Sequence, residues 1–368
     1  MKAPTLQAHT AVQNTQAELE QRREAERRCL LCELRLYFFM TALSQAVTVL
    51  LAQTGAAAPG VLLLCLLPGA LLAGLAALCK RLTHAPTLTE AFRVGLHPVA
   101  ARCWQAVLAL LLLWQGESIL TDMVCLFTEG VATNAAPLGM AAVTLAAALA
   151  CSQAGGLARC TWLLRLPLLA VTVLLGADLV SKGRLDHFLP WEGGGLAVNL
   201  HLLRIQSALG WPMLLFADLP PRSSHARRDA GPVPPAVLLL VLTLAAVFAL
   251  PTELALTARN LADAMLLPIV FLTPTNRLLA LTGWMVGLLL ALAISLRRCG
   301  EQLHALTQLR PTWTLEGGAA LALLLPHLAG TQTLRSVLKL IQPFLLLPGA
   351  VLLLALTVGA LCRRRRRT

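Results

Sequence analysis

Residues 56–78 read AAAPGVLLLCLLPGALLAGLAAL, twenty-three positions without a charge. A helix that crosses a bilayer needs about 20 mostly apolar residues, because about 30 Å of hydrocarbon is spanned at about 1.5 Å per residue. This run meets that length and is apolar on every face, which places it inside a large core or in a membrane. Similar runs lie on both sides of it, at Leu34–Gln53, Ala101–Phe127, Pro137–Gln153, Leu157–Val180, Val198–Leu219, Pro235–Leu256, Thr275–Leu296 and Val337–Cys362. A further run, Gly317–Leu328, is shorter and interrupted by Pro326, the length of a re-entrant segment as much as of a span. Across its 368 residues the chain is 57% hydrophobic and 13% charged, with a mean hydropathy of +0.72. Soluble domains average about 45–50% apolar and about 25% charged. A soluble globular domain, a disordered chain and a secreted disulfide scaffold are excluded. The expected fold class is an all-α membrane protein.

Charge sets the expected topology. The net charge is +12, and Lys and Arg concentrate near the cytoplasmic ends of membrane helices. Ten spans with an inside N-terminus place 23 of the 30 basic residues in the cytoplasm, the Arg363–Arg367 run among them. Both termini are then cytoplasmic, and the basic balance needs no nucleic acid to explain it. Residues 1–33 form a polar cytoplasmic tail with no small-residue cleavage pattern. Residues 34–362 form one polytopic domain, and 363–368 a basic tail that meets the anionic lipid surface. Two loops separate helices through proline: KGRLDHFLPWEGGG at Lys182–Gly195, outside, and PPRSSHARRDAGPVPP at Pro220–Pro235, inside. Pro251 to Pro268 reads as an amphipathic helix over the outer mouth.

The reactive residues form no catalytic or metal pattern. Cys29 and Cys32 have CxxC spacing, but a zinc site needs four ligands and no second pair stands nearby. The ten cysteines read as small packing residues. Phosphate-loop, nucleophile-elbow, zinc-protease and dinucleotide motifs are missing. The chain reads as a non-enzyme without cofactor or metal.

Polar residues inside the spans carry the functional signal, since polar groups in hydrocarbon face the bundle interior or a wet cavity. Thr41, Ser44, Gln45 and Thr48 share one face of the first span, either as interhelical hydrogen-bonding groups or as a cavity lining. The third span holds Gln115, Glu117, Ser118 and Asp122; Glu117 is either a ligand contact or an interfacial group, and Asp122 is expected at the hydrated outer interface. The sixth span holds Gln206, Ser207 and Gly210-Trp211-Pro212. That sequence favours a break near mid-depth, with freed backbone groups available to a ligand. Arg277 near the start of the eighth span either snorkels or pairs with Asp263, and Thr282 follows it. Thr41, Ser44, Gln45, Thr48, Gln115, Glu117, Ser118, Gln206, Ser207, Gly210 and Thr282 are the candidate ligand-binding set.

In chain order the landmarks resemble the spore germination permease family, the membrane B subunits of germinant receptors within the amino acid–polyamine–organocation superfamily. The matching stretches are Gly156-Leu157-Ala158-Arg159 at the fifth span, Asp186-His187-Phe188-Leu189-Pro190 after it, and Phe271 to Arg277 followed by Trp284. The acidic residues that the family carries just before Arg159 and just after Arg277 are missing. The resemblance implies two inverted five-helix repeats with interrupted first and sixth helices around a small-molecule site. It also implies an inner-membrane receptor subunit, partnered by A and lipoprotein C subunits, that senses an amino acid or similar germinant. The alternative is an H⁺- or Na⁺-coupled amino acid secondary transporter.

Overall fold

The structure, a computed structural model, describes residues 3–44, 48–131, 135–153, 156–188, 207–219, 231–251, 261–309, 312–329 and 346–365, with a few single positions between them. It is an all-α multi-pass membrane architecture. The helices are α1 Ala3–Ala42, α2 Thr48–Thr54, α3 Ala58–Thr83, α4 Leu88–Gly95, α5 Pro98–Cys125, α6 Pro137–Gln153 and α7 Leu157–Ser181. They continue as α8 Met213–Ala217, α9 Val233–Ala249, α10 Leu261–Val270, α11 Pro274–Thr307, α12 Thr312–Leu324 and α13 Leu346–Arg365. Among the described residues, Gly55–Thr83, Pro98–Thr128, Leu157–Ser181 and Pro274–Thr307 are long and apolar enough to cross a membrane. Pro137–Ser152, Val233–Ala249 and Leu346–Cys362 are shorter apolar helices.

The expected tail at 1–33 is not separate from the first span, since α1 runs unbroken from Ala3 to Ala42. The eighth span also exceeds its apolar run: α11 continues past Leu296 to Thr307. Its added turns are polar and held by ion pairs. Arg298 meets Glu33 at 3.0 Å and Glu301 at 2.7 Å, while Arg297 meets Glu301 at 3.3 Å. Glu33 is buried on α1, so this network fastens α1 and α11 together.

Burial separates inner from outer helices. In α5, 72% of the apolar window is buried, against 11% in α7. α5 lies along α11, which also meets α1, α6, α7 and α12; α3 packs on the segment around Ser207–Gly210, on α8 and on α13. The exposed Leu and Val side chains of α7 and α9 are ordinary for a surface whose solvent is lipid.

Helix ends follow local chemistry. Pro98 and Pro274 occupy first-turn positions where a missing N–H costs nothing. His97 caps α5, accepting from Val99 N at 3.3 Å. The start of α11 is tied to the end of α7: Asp178 Oδ2 accepts from Thr273 N at 2.9 Å and Asn276 Nδ2 at 3.0 Å. Lys182 donates to the Phe271 carbonyl beside it. Loss of such a cap costs about 1 kcal/mol. Asp178→Ala should therefore lower the thermal midpoint of the detergent-solubilised protein, with Asp178→Asn intermediate; equal midpoints for all three would disprove the cap.

Lys80 Nζ donates to the carbonyls of Ala217 at 2.8 Å and Leu219 at 3.1 Å, closing α8, while Asp218 accepts from Leu88 N at 2.9 Å. α10 lies against α2, the π-helical turn Leu126–Val131 and α5, and overlaps the Pro251–Pro268 stretch read as an amphipathic helix. Arg277 Nη2 donates to the Val270 carbonyl at 2.8 Å. Of the two expected loops, residues 189–195 and 220–230 lie outside the described residues.

Candidate functional site

The polar residues of α5 lie mostly on one stripe. Gln115, Ser118 and Asp122 stand at i, i+3 and i+7, positions that share a helix face. Two side chains of the first span, Tyr37 and Ser44, also stand seven positions apart and reach toward this stripe. Tyr37 lies near Gln115 through a shared neighbour, Trp211, and Ser44, two turns later, faces Asp122, two turns after Gln115.

At the outer end of the stripe Ser44 Oγ donates to Asp122 Oδ2 at 2.5 Å, with both side chains buried. The short distance is that of a charge-assisted O–H···O⁻ contact. Asp122 was expected at the hydrated outer interface and is instead 6% exposed. Its i+7 relation to Gln115 was the signal available for this placement. The pair sits just past the end of α1 at Ala42, where Leu43 and Ser44 continue in π-helical form.

At the inner end Trp211 Nε1 donates to Gln115 Oε1 at 2.9 Å, and Trp211 packs edge-on against Tyr37 with ring centroids 6.3 Å apart. Ser295 of α11 donates to the Leu112 carbonyl at 2.6 Å and lies 3.5 Å from the Tyr37 hydroxyl. Gln115 Nε2 is buried without a hydrogen-bond partner among the described residues. It is a donor held beside the stripe.

Gly210 explains how the sixth segment comes so close. A Cβ on Gly69 would lie 2.0 Å from the Gly210 carbonyl oxygen, and one on Gly210 would lie 2.8 Å from the Leu66 carbonyl oxygen. Backbone therefore touches backbone. Ser207–Gly210 forms a 3₁₀ turn, followed by α8 from Met213, and Trp211 is thereby carried into the bundle.

A second buried acid lies off the stripe. Glu117 Oε1 is 3.0 Å from His327 Nε2, and the His327 side chain has no exposure. The atoms are close but not aligned as a hydrogen bond, and both side chains are buried without hydrogen-bond partners among the described residues. His327 lies in the 3₁₀ turn Leu325–Ala329, beyond α12. Sequence reasoning missed it, because 210 positions separate it from Glu117 and no local pattern links them.

The remaining candidates are dispersed. Thr41 is buried but spends its hydroxyl on the Phe38 carbonyl at 3.1 Å. Thr48 opens α2, and Ser207 opens the 3₁₀ turn. Ser118 is half-buried, and Thr282 is exposed on α11. Gln45 and Gln206 lie outside the described residues. All ten cysteines are free, and no group of three His, Cys, Asp or Glu side chains capable of holding a metal occurs among the described residues.

No protein-family model matches the chain, and no curated protein matches it in sequence. Solved structures do. A manganese transporter of Eremococcus coleocola, in a variant with one histidine replaced by alanine, superimposes with a TM-score of 0.53 at 14% identity, covering 90% of this chain and 78% of that one. A variant with a glutamate replaced by alanine gives the same score and identity over 90% and 77%. The same transporter bound to an aromatic bis-isothiourea compound gives 0.50 at 13% identity, over 91% and 85%.

These matches overturn the resemblance to the germination permeases. The expected receptor function, the amino acid or germinant ligand and the A and C subunit partners are withdrawn with it, since the neighbours are manganese transporters. The physical reason lies in what the quoted stretches do. Gly156 is the N-cap of α7. Arg184 pairs with Asp186 at 3.2 Å in a short turn. Thr273-Pro274 starts α11, and Arg277 secures the preceding turn. Each is helix-terminus chemistry, which any bundle with helices in this order requires, so the ordered set marked a fold and not a receptor.

Proposed function

We propose that the chain is an ion-coupled secondary transporter for a divalent cation. In this reading it has ten spans in two inverted five-helix repeats, interrupted in the first and sixth, with both termini cytoplasmic. The observation that carries the reading is the buried Ser44–Asp122 pair, set where α1 gives way to α2. Carboxylate, carbonyl and water oxygens suit Mg²⁺, Ca²⁺ and Mn²⁺. Asp122 supplies the charge and Ser44 a hydroxyl. Backbone carbonyls near the two helix interruptions and retained water supply the rest, as in transporters whose half-helices meet at mid-membrane. Gln115 and Ser118 extend the site along α5. The neighbours make Mn²⁺ the first cargo to test.

Glu117 and His327 are the coupling group in this scheme. Cargo binding biases the states only through its different affinity for each.

The test is uptake by the purified protein in liposomes that hold a metal-quenched dye and a pH dye. Mn²⁺ should enter down its gradient with protons moving in the same direction. Glu117→Gln and His327→Gln should suppress proton movement about tenfold or more while leaving Mn²⁺ entry measurable. Liposomes with no more Mn²⁺, Ca²⁺ or Mg²⁺ flux than protein-free ones would overturn the reading.

A further inference from the structure

A second polar cavity lies away from the stripe, on the side that charge places in the cytoplasm. It measures about 240 Å³ and is bounded by the end of α4, the first two turns of α5 and the end of α11. Its polar lining consists of Arg93, Arg102, Gln105 and Gln308, and no acidic residue lines it. We propose that this cavity binds a phosphate group, carried by an anionic phospholipid of the inner leaflet.

The chemistry of the lining supports this. Each guanidinium offers five donors in a planar fork that matches phosphate oxygens. Arg93 uses Nη1 on Glu90 at 3.3 Å, in an exposed i,i+3 pair that leaves its remaining donors available. Arg102 is exposed on α5. Two carbonyls at the end of α11 that face the cavity's edge are engaged rather than bare. The Ala305 carbonyl, at the negative end of α11, accepts from Gln308 Nε2 at 3.3 Å, and the His304 carbonyl accepts from Gln308 N at 2.8 Å. The nearby end of α5 is its N-terminus, where the helix dipole favours negative charge.

The rim points to lipid as the source. Val94 and Val99, beside Arg93 and Pro98, are exposed, as are Leu309, next to Gln308, and Trp313, in the first turn of α12. Exposed apolar groups with a tryptophan beside a basic pocket suit the headgroup layer, where Trp sits at the interface and basic pockets between helices take lipid phosphates.

The experiment uses the full chain in nanodiscs of neutral phosphatidylcholine, titrated with phosphatidylglycerol and followed by native mass spectrometry and thermal midpoint. Saturable uptake of phosphatidylglycerol with a rise in midpoint is expected. The double variant Arg93→Gln, Arg102→Gln should bind about thirty-fold more weakly, at about fivefold for each cationic side chain, and Arg102→Lys alone should retain most of the affinity. Equal midpoints of unaltered and double-variant protein in neutral lipid show that both are folded. Inorganic phosphate, tested alone, separates the sources: if it saturates the site and phosphatidylglycerol does not, the phosphate site stands and the lipid assignment falls. Binding of phosphatidylglycerol unchanged in the folded double variant overturns the proposal.

Discussion

Asp122→Asn is expected to lower Mn²⁺ uptake on the order of 100-fold, the largest loss from any single side chain of the site. The substitution keeps size and shape and leaves an oxygen to accept the Ser44 hydroxyl, which lies 2.5 Å away in the unaltered protein. Folding should therefore change little, and the thermal midpoint serves as the control. What disappears is the negative charge on the stripe, without which a dehydrated divalent ion has no counter-charge there. Ser44→Ala removes a hydroxyl and no charge, so its loss should be only about five- to tenfold. The ratio of the two effects distinguishes a cation site from a structural hydrogen bond, since a purely structural pair would respond comparably to either change. Initial uptake rates in liposomes measure both. An Asp122→Asn rate indistinguishable from that of the unaltered protein would remove α5 from the cargo site.

The membrane class and much of the helix order were legible in the sequence because hydropathy is a local property. The sequence places the fourth span at Pro137–Gln153, and α6 has those limits; the fifth, Leu157–Val180, differs from α7 by one residue. Hydropathy does not detect helix held by charge, so Arg297 to Thr307 was invisible as part of α11. The site was half legible. Ser44 and Gln115 were visible as polar groups inside apolar runs, and the i+7 spacing to Asp122 was there to be read. Which residues face one another was not readable, because Trp211, His327 and Gly69 reach the α5 polar groups or the sixth segment only through tertiary packing. The family resemblance failed for a related reason. Capping residues record where helices begin, and proteins of different function share that requirement.

Gly69→Ala tests whether the sixth segment has to approach α3 as closely as the structure places it. The added Cβ would fall 2.0 Å from the Gly210 carbonyl oxygen and 2.1 Å from its carbon. Both are backbone atoms, so no side-chain rotation relieves the overlap, and the segment carrying Trp211 has to move. Overpacking of this kind costs about 1–3 kcal/mol and occasionally more, and an obstacle of backbone belongs at the upper end. Displacement would also break the Trp211–Gln115 hydrogen bond, so transport should fall together with the thermal midpoint. Gly74, one and a half turns further along α3, provides the control. No atom lies within 4 Å of a Cβ placed there, and alanine is the better helix former by about 1 kcal/mol, so Gly74→Ala should be neutral or slightly stabilising. Gly210→Ala meets Gly69 Cα at 2.8 Å and the Leu66 carbonyl oxygen at 2.8 Å and should reproduce the Gly69 phenotype from the other side of the contact. If Gly69→Ala and Gly74→Ala behave alike in midpoint and uptake, the two backbones do not touch, and the placement of Trp211 against Gln115 loses its support.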